Sequence, residues 1–130
     1  MRTEILSTLF VLMIFFSLMG CDNTNKVLNE LNFPETNVSY SQHVQLLFDL
    51  KCNYTSCHAT GTTASRLVLT SYYNATRYPG IIVSNNPDNS ILNQRMEGRL
   101  GRPMPPLGDP LPSNFVNGVR TWVREGAKNN

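Results

Sequence analysis

The stretch KCNYTSCHATG, residues 51–61, contains two of the three cysteines and one of the two histidines of this 130-residue chain. It directly follows a segment in which Val44, Leu47 and Phe48 lie at i, i+3 and i+4, the spacing of the buried face of a helix. This pattern predicts a helix over 41–52. We therefore expect the end of that helix to present a compact group of thiols and an imidazole, and the fold to be organised around what this group holds.

Cys52, Cys57 and His58 are typical, first, of a covalently bound haem. Two thiols bind the two vinyl groups, and the histidine that follows the second cysteine ligates the iron. The usual spacing is C-x-x-C-H, whereas this chain has C-x₄-C-H. The two additional residues are expected to bulge out near Tyr54 and Thr55, so that both sulfurs can reach the vinyl groups.

Zinc and a disulfide are the two alternatives. C-x₄-C is within the range of zinc-ligand spacing, and His58 with His43 would complete a set of four ligands. Adjacent Cys57 and His58 would then both have to bind one ion, and His43 lies a helix away. A disulfide between Cys52 and Cys57 would suit an oxidising compartment and would leave His58 without a special role. The motif favours haem over both.

The rest of the domain is predicted to be mostly helical, with long irregular loops. The final helix has its apolar residues at i, i+4, i+7 and i+8. The expected helices after the first are a short one that begins at Thr70, one capped by Asp88 or Asn89 and stopped by Gly98, and a last one capped by Ser113, with Phe115, Val119, Trp122 and Val123 facing inward, and ended by Gly126. A domain this small is marginal on hydrophobic burial alone, so we expect something other than side chains to fill its middle.

Met104 is the candidate for a second axial ligand of an iron. Pro103 fixes its own φ, and Pro105 restricts Met104 to an extended conformation. A methionine pinned in this way is poorly suited to fill gaps in a core, where its freedom is the advantage. Met96 lies on the apolar stripe of a helix and is interpreted as a core residue. His43 is expected to be exposed on the first helix.

The N-terminal region indicates export and lipidation. Residues 5–19 are almost wholly apolar but short for a spanning helix, and they fit the hydrophobic part of a signal peptide. The pair Gly20-Cys21 at its end resembles the bacterial lipobox, in which the cysteine thiol receives a diacylglycerol. The alternatives are an ordinary signal peptide with a stray cysteine, or an uncleaved anchor. The predicted organisation is a signal peptide at 1–20, a lipidated Cys21 with a flexible tether over 21–38, a folded domain over 39–127 and a tail at 128–130.

Taken together, these motifs resemble a small single-haem class I c-type cytochrome, over about residues 40–127. The resemblance rests on the order and spacing of YSQHVQLLFDLKCNYTSCH, LVLTSYYNA, GIIVSNNPDNSILNQRM, MPPLG and NFVNGVRTWVREGA. It implies one haem c attached through thioethers to Cys52 and Cys57, with His58 as proximal and Met104 as distal iron ligand. It also implies an electron carrier rather than an enzyme, with redox proteins as partners. The departure from the family pattern is the C-x₄-C-H spacing.

The charge excludes one class of partner and leaves two functional alternatives. The net charge of +2, without a cluster of lysines and arginines, does not favour nucleic acid. Arg99 and Arg102, beside Met104, are candidates to pair with haem propionates or to steer an acidic partner, or are plain surface residues. The expected location is the bacterial cell envelope, lipid-anchored and facing the periplasm or the exterior. The alternatives are a disulfide-stapled lipoprotein without haem, and a haem enzyme or sensor with a labile sixth ligand.

Overall fold

The computed structural model describes residues 31–61, 66–106 and 110–130. All the regular secondary structure within these ranges is helical, as the sequence predicts, and long irregular segments connect the helices. The signal peptide, the lipidation site Cys21 and the first part of the tether lie outside the described residues. Within the described residues, no helix has the length and apolar character needed to cross a membrane.

The first helix begins as a single π-helical turn, Tyr40–Val44, and continues as α1, Gln45–Lys51. Ser39 caps it, because its side-chain oxygen accepts a hydrogen bond from the backbone N–H of Gln42 at 3.2 Å. The apolar face predicted from the sequence is fully buried, with Val44 at 0% exposure. The helix thus ends one residue before Cys52.

Helices α2, Tyr72–Thr76, and α3, Ile91–Met96, are short. The cap of α2 is Ser71 rather than Thr70. The prediction that Asp88 or Asn89 caps α3 is wrong, because Pro87–Asn89 form a separate 3₁₀ turn. Ser90 precedes α3 instead, and its buried hydroxyl donates to the carbonyl of Asn86 at 2.9 Å.

Helix α4, Ser113–Arg124, is the longest helix of the part of the chain that the structure describes, and it supplies much of the core. Its predicted inward face is confirmed: Phe115 is 4% exposed, and Val119, Trp122 and Val123 are completely buried. Ser113, predicted as the N-cap, is instead the first residue of the helix, and Pro112 occupies the N-cap position. Gly126 follows the helix with φ of +103°, a conformation that favours glycine and ends the helix.

Aromatic rings join α4 to the first helix and to α2. The Tyr40 ring lies 5.3 Å from that of Trp122 and 5.1 Å from that of Tyr72. Each polar tip is satisfied, since the Trp122 indole N–H donates to the carbonyl of Lys128 and the Tyr72 hydroxyl donates to the carbonyl of Ala127. This half of the domain is therefore closed by its own side chains.

The folded domain is longer than the predicted 39–127. Of the expected tether, residues 31–38 pack on the domain, with Leu31, Phe33 and Val38 buried. The Glu125 carboxylate accepts the backbone N–H groups of Asn37 and Val38 at 2.7 and 2.9 Å. These contacts join segments far apart in the chain, so local composition did not reveal them.

The predicted tail also belongs to the domain. The side-chain oxygen of Asn130 accepts the backbone N–H of Tyr40 at 2.8 Å, and its backbone oxygen accepts that of Ser41 at 2.9 Å. Asn130 thus satisfies two of the N–H groups at the start of the first helix, where such donors have no partner within the helix.

Candidate functional site

A partly open cavity of about 350 Å³ lies beside the closed core. Its walls are predominantly apolar, and its volume is within the range of small-molecule and cofactor sites. The structure brings the predicted site residues together here. The residues that border the cavity include Cys52, Cys57, His58, Met96 and Met104.

The spacer between the two cysteines is folded as a compact turn. The backbone N–H of Cys57 donates to the carbonyl of Tyr54 at 2.8 Å, and that of His58 donates to the carbonyl of Cys52 at 3.2 Å. Tyr54, Thr55 and Ser56 are exposed. The additional residues thus project outward, in agreement with the expected bulge, while both cysteines and the histidine border one cavity.

Cys52 is held in the thiol form. Burial raises the pKa of Cys52 to about 12, with smaller contributions from the nearby Cys57 and Asp49. No disulfide joins Cys52 to Cys57. A neutral sulfur in an apolar wall suits a thioether.

His58 is held in one orientation by the segment of Leu67 and Leu69, which lies against it. Its Nδ1 lies 2.9 Å from the carbonyl oxygen of Leu67, and a carbonyl can only accept, so Nδ1 carries the hydrogen. In the neutral ring the lone pair is then on Nε2. Metal-bound histidines are typically fixed in this way by a backbone carbonyl. The His58 carbonyl also accepts the N–H of Leu69 at 2.9 Å, which fixes the backbone.

Two amides that the sequence reasoning missed support this segment. Gln45 Nε2 and Asn53 Nδ2 both donate to the carbonyl of Leu69, at 3.1 and 3.0 Å. The same two groups donate to one oxygen of Asp49, at 2.7 and 2.6 Å. The spacing of Gln45, Asp49 and Asn53 at i, i+4 and i+8, along α1 and just past its end, was the available signal, since it places them on one side.

Met104 reaches the cavity from the loop after α3. Its backbone N–H donates to the carbonyl of Arg95 at 3.0 Å, and the Met104–Pro105 peptide bond is cis. Pro105 and Pro106 border the cavity beside it. Met96, interpreted from the sequence as a core residue, is half-buried, packs against the core and borders the same cavity. Both methionines are therefore placed where a thioether could face a guest.

The zinc set is not assembled. His43 is half-buried rather than exposed, with its ring 5.6 Å from that of Phe33 and its Nδ1 3.1 Å from the backbone N–H of Ser39. Among residues 31–61, 66–106 and 110–130, no three His, Cys, Asp or Glu side chains are grouped so as to hold a metal ion. The alternative with His43 as a fourth ligand thus has no structural support.

Of the large apolar side chains near the site, Phe48 and Trp122 pack inside the closed core, whereas Leu92 borders the cavity. Arg99 forms ion pairs with Glu97 and Asp88 at the surface. Among the residues that the structure describes, Arg95 is the arginine that borders the cavity.

Comparison of the chain with protein-family models, with curated proteins and with solved structures gives no match.

Proposed function

We propose that this protein is a membrane-anchored electron carrier of the bacterial cell envelope, with one haem c bound covalently to Cys52 and Cys57. The observation that carries the proposal is the convergence on one apolar cavity of two cysteines, an oriented imidazole and a methionine from a distant loop. Of the three interpretations of the cysteine motif, haem attachment is the one that uses all of these groups at once.

The residues fit the group. Each thiol would add its sulfur and its hydrogen across a vinyl C=C bond, so that nothing is released and no oxidant is needed. His58 would present Nε2, because Nδ1 donates to Leu67. Met104 would present a neutral thioether, and histidine–methionine ligation raises the reduction potential of haem iron. When bound, the haem supplies a one-electron couple, and the apolar walls around it would further favour the less charged ferrous state.

The anchor is proposed to be lipid on Cys21. One acyl chain alone gives only marginal membrane binding, whereas two or three hold a protein firmly. The electron would then be exchanged with redox proteins that meet the carrier at the membrane. Mass spectrometry of the mature protein should find an acylated N-terminal cysteine. An unmodified Cys21, or an N-terminus elsewhere, would refute this part of the proposal.

The attachment of haem is tested on protein exported to the periplasm of a host that matures c-type cytochromes. We expect a c-type visible spectrum and haem that stays with the polypeptide after acid–acetone extraction. Cys57→Ala should yield less holoprotein than Cys52→Ala, because Cys57 directly precedes His58 and forms with it the Cys-His pair of the usual haem motif. Complete extraction of the haem would exclude the thioethers. Exported protein without any haem would favour the disulfide-stapled alternative.

Met104→Ala separates an electron carrier from an enzyme or sensor. We expect the variant to keep its haem, to show a lower reduction potential, and to bind carbon monoxide in the ferrous state, because the sixth position is then open. Axial ligands set haem potentials over a range of about 0.8 V, so the loss should be easily measured. Met96→Ala is the matched control. If the wild-type ferrous protein already binds carbon monoxide readily, the sixth ligand is labile and the enzyme or sensor alternative gains.

A further inference from the structure

The loop that carries Met104 is attached to the end of α3 through few hydrogen bonds. Pro103, Pro105 and Pro106 have no backbone N–H, so the loop has few donors of its own. At its start, the Gly98 N–H donates to the carbonyl of Arg95 at 3.2 Å, and those of Arg99 and Leu100 donate to the carbonyl of Gln94 at 2.8 and 3.2 Å. The part nearest the cavity depends on further contacts to Arg95.

Arg95 holds residues 102–104 at two points. Its backbone carbonyl accepts the N–H of Met104 at 3.0 Å. Its side-chain Nη1 donates to the carbonyl of Arg102 at 3.1 Å. The two contacts lie on either side of Pro103, so together they fix both ends of the dipeptide that leads into the methionine.

Gly101 makes room for this side chain. It has φ of +59°, and a Cβ at this position would lie 2.9 Å from Nη1 of Arg95. Gly98 provides a close comparison in the same loop. Its φ is +69°, but its Cβ would meet only Pro103, at an ordinary 3.7 Å. A methyl group therefore strains the backbone at both positions and displaces the guanidinium at only one.

We propose that Arg95 is the positioning residue for Met104: its carbonyl and its guanidinium clamp residues 102–104 so that the thioether stays at the cavity. The inference rests on the proposed function to the extent that Met104 is an iron ligand. The clamp itself is a property of the polypeptide. Its loss would increase the population in which the loop is detached, in the way that local openings do in other proteins.

The test uses mature holoprotein and the variants Arg95→Met, Arg95→Lys, Gly101→Ala and Gly98→Ala. Hydrogen exchange of the Met104 amide is followed by NMR in the ferrous state, and carbon monoxide binding is followed by stopped flow. The bond from the charged guanidinium to the Arg102 carbonyl is exposed to solvent, so its loss in Arg95→Met should accelerate both only about fivefold. Arg95→Lys, which retains a donor, should recover part of the difference. Gly101→Ala keeps the charge of Arg95 and should accelerate both rates clearly more than Gly98→Ala, because both methyl groups strain the backbone but only the one at residue 101 displaces the guanidinium.

The outcomes separate the clamp from the ligand assignment. Unchanged exchange of the Met104 amide in Arg95→Met would overturn the clamp, and so would equal effects of Gly101→Ala and Gly98→Ala. Faster exchange without faster carbon monoxide binding would support the clamp and refute Met104 as the ligand, and thus that part of the proposed function. In the Arg95→Met background, Gly101→Ala should accelerate either rate no more than Gly98→Ala does, because only the backbone strain remains there. A larger increase would also overturn the clamp.

Discussion

The two halves of the domain treat apolar surface in opposite ways. Between the first helix and α4, side chains such as Leu47, Phe48 and Trp122 are completely buried against one another. Beside α3 and the Met104 loop, residues such as Leu67 and Ile81 are only half-buried and border the cavity. The first half is closed without a guest, whereas the second presents apolar surface for which side chains alone provide no cover.

This difference explains how a small domain can be stable although it has long loops. The closed half supplies the scaffold, and α1 carries Cys52 at its end to the border between the two halves. The open half is built from a turn, a short helix and a proline-rich loop, which border the cavity. A covalently attached group would give them a common surface to pack on, as cofactors do in other small domains.

The largest effect on stability is expected when a leucine is replaced by alanine in the closed half, and the same replacement in the open half should cost much less. Leu47→Ala removes a fully buried side chain and should lower the free energy of unfolding by about 2–5 kcal/mol. Leu67→Ala removes a half-buried side chain from the cavity wall and should cost under about 1 kcal/mol in cofactor-free protein, because part of its surface is already uncovered. Urea unfolding followed by circular dichroism measures both. Equal costs in cofactor-free protein would contradict the comparison.

Cys52 tests how dry the border between the halves is. Because burial raises its pKa to about 12 from the ordinary 9.0, very little thiolate is present at pH 8. In cofactor-free protein, alkylation of Cys52 should be about two to three orders of magnitude slower than in the same chain unfolded by urea. Peptide mapping measures the rates residue by residue. Raised in this way, the pKa also stabilises the fold below pH 9.0, and that contribution is lost as the pH rises toward 12. Equal rates in folded and unfolded chain would show an open, hydrated border.

Gly118 tests how tightly the closed half is packed. A Cβ there would overlap the ring of Phe33, which lies over α4. Although alanine normally favours a helix over glycine, Gly118→Ala should therefore cost about 1–3 kcal/mol by overpacking. Asn117→Ala, on the exposed side of the same helix, is the control and should be neutral or slightly stabilising.

The background variant Phe33→Gly sharpens this experiment. Without the Phe33 ring, the added methyl group at residue 118 overlaps no side chain, so Gly118→Ala should become neutral or stabilising in this background. Should Gly118→Ala be harmless in the wild type, residues 31–38 would not be part of the packed domain, and the prediction of a tether that extends to residue 38 would stand after all.

What could be predicted from the sequence follows the range of the interactions. The inward faces of α1 and α4 are periodic within a single segment, so Leu47 and Trp122 were identified correctly. The packing of Phe33 on Gly118 leaves no local pattern, and neither does the hydrogen bond that the Asn37 N–H donates to Glu125, 88 residues away. At the site, the grouping of the cysteines and His58 is visible as spacing. The clamp by Arg95 is not, because it depends on how a loop folds back over the helix that precedes it.

The smallest effect is expected at the outer surface, where ion pairs join α3 and its 3₁₀ turn to α4. Arg120 of α4 contacts both Glu97 and Asp88. Its hydrogen bond, aided by the charges of Arg120, Arg99 and Arg124, lowers the pKa of the exposed Asp88 carboxyl below its ordinary 3.8. A carboxyl with a lowered pKa in the folded state stabilises the fold above the unfolded value, and this contribution is lost as the pH falls through the lowered pKa.

Asp88→Asn should therefore lower Tm slightly at pH 7, by the same amount at pH 5, and by less once the pH falls well below 3.8. High salt should shrink the difference at pH 7, because exposed charges are screened. In a double-mutant cycle, the loss should largely disappear in the Arg120→Met background, since the partner that lowers the pKa is then missing. A Tm difference between variant and wild type that grows toward low pH would have the wrong sign for this ion pair. It would mean that Asp88 contributes to stability through packing rather than through its charge.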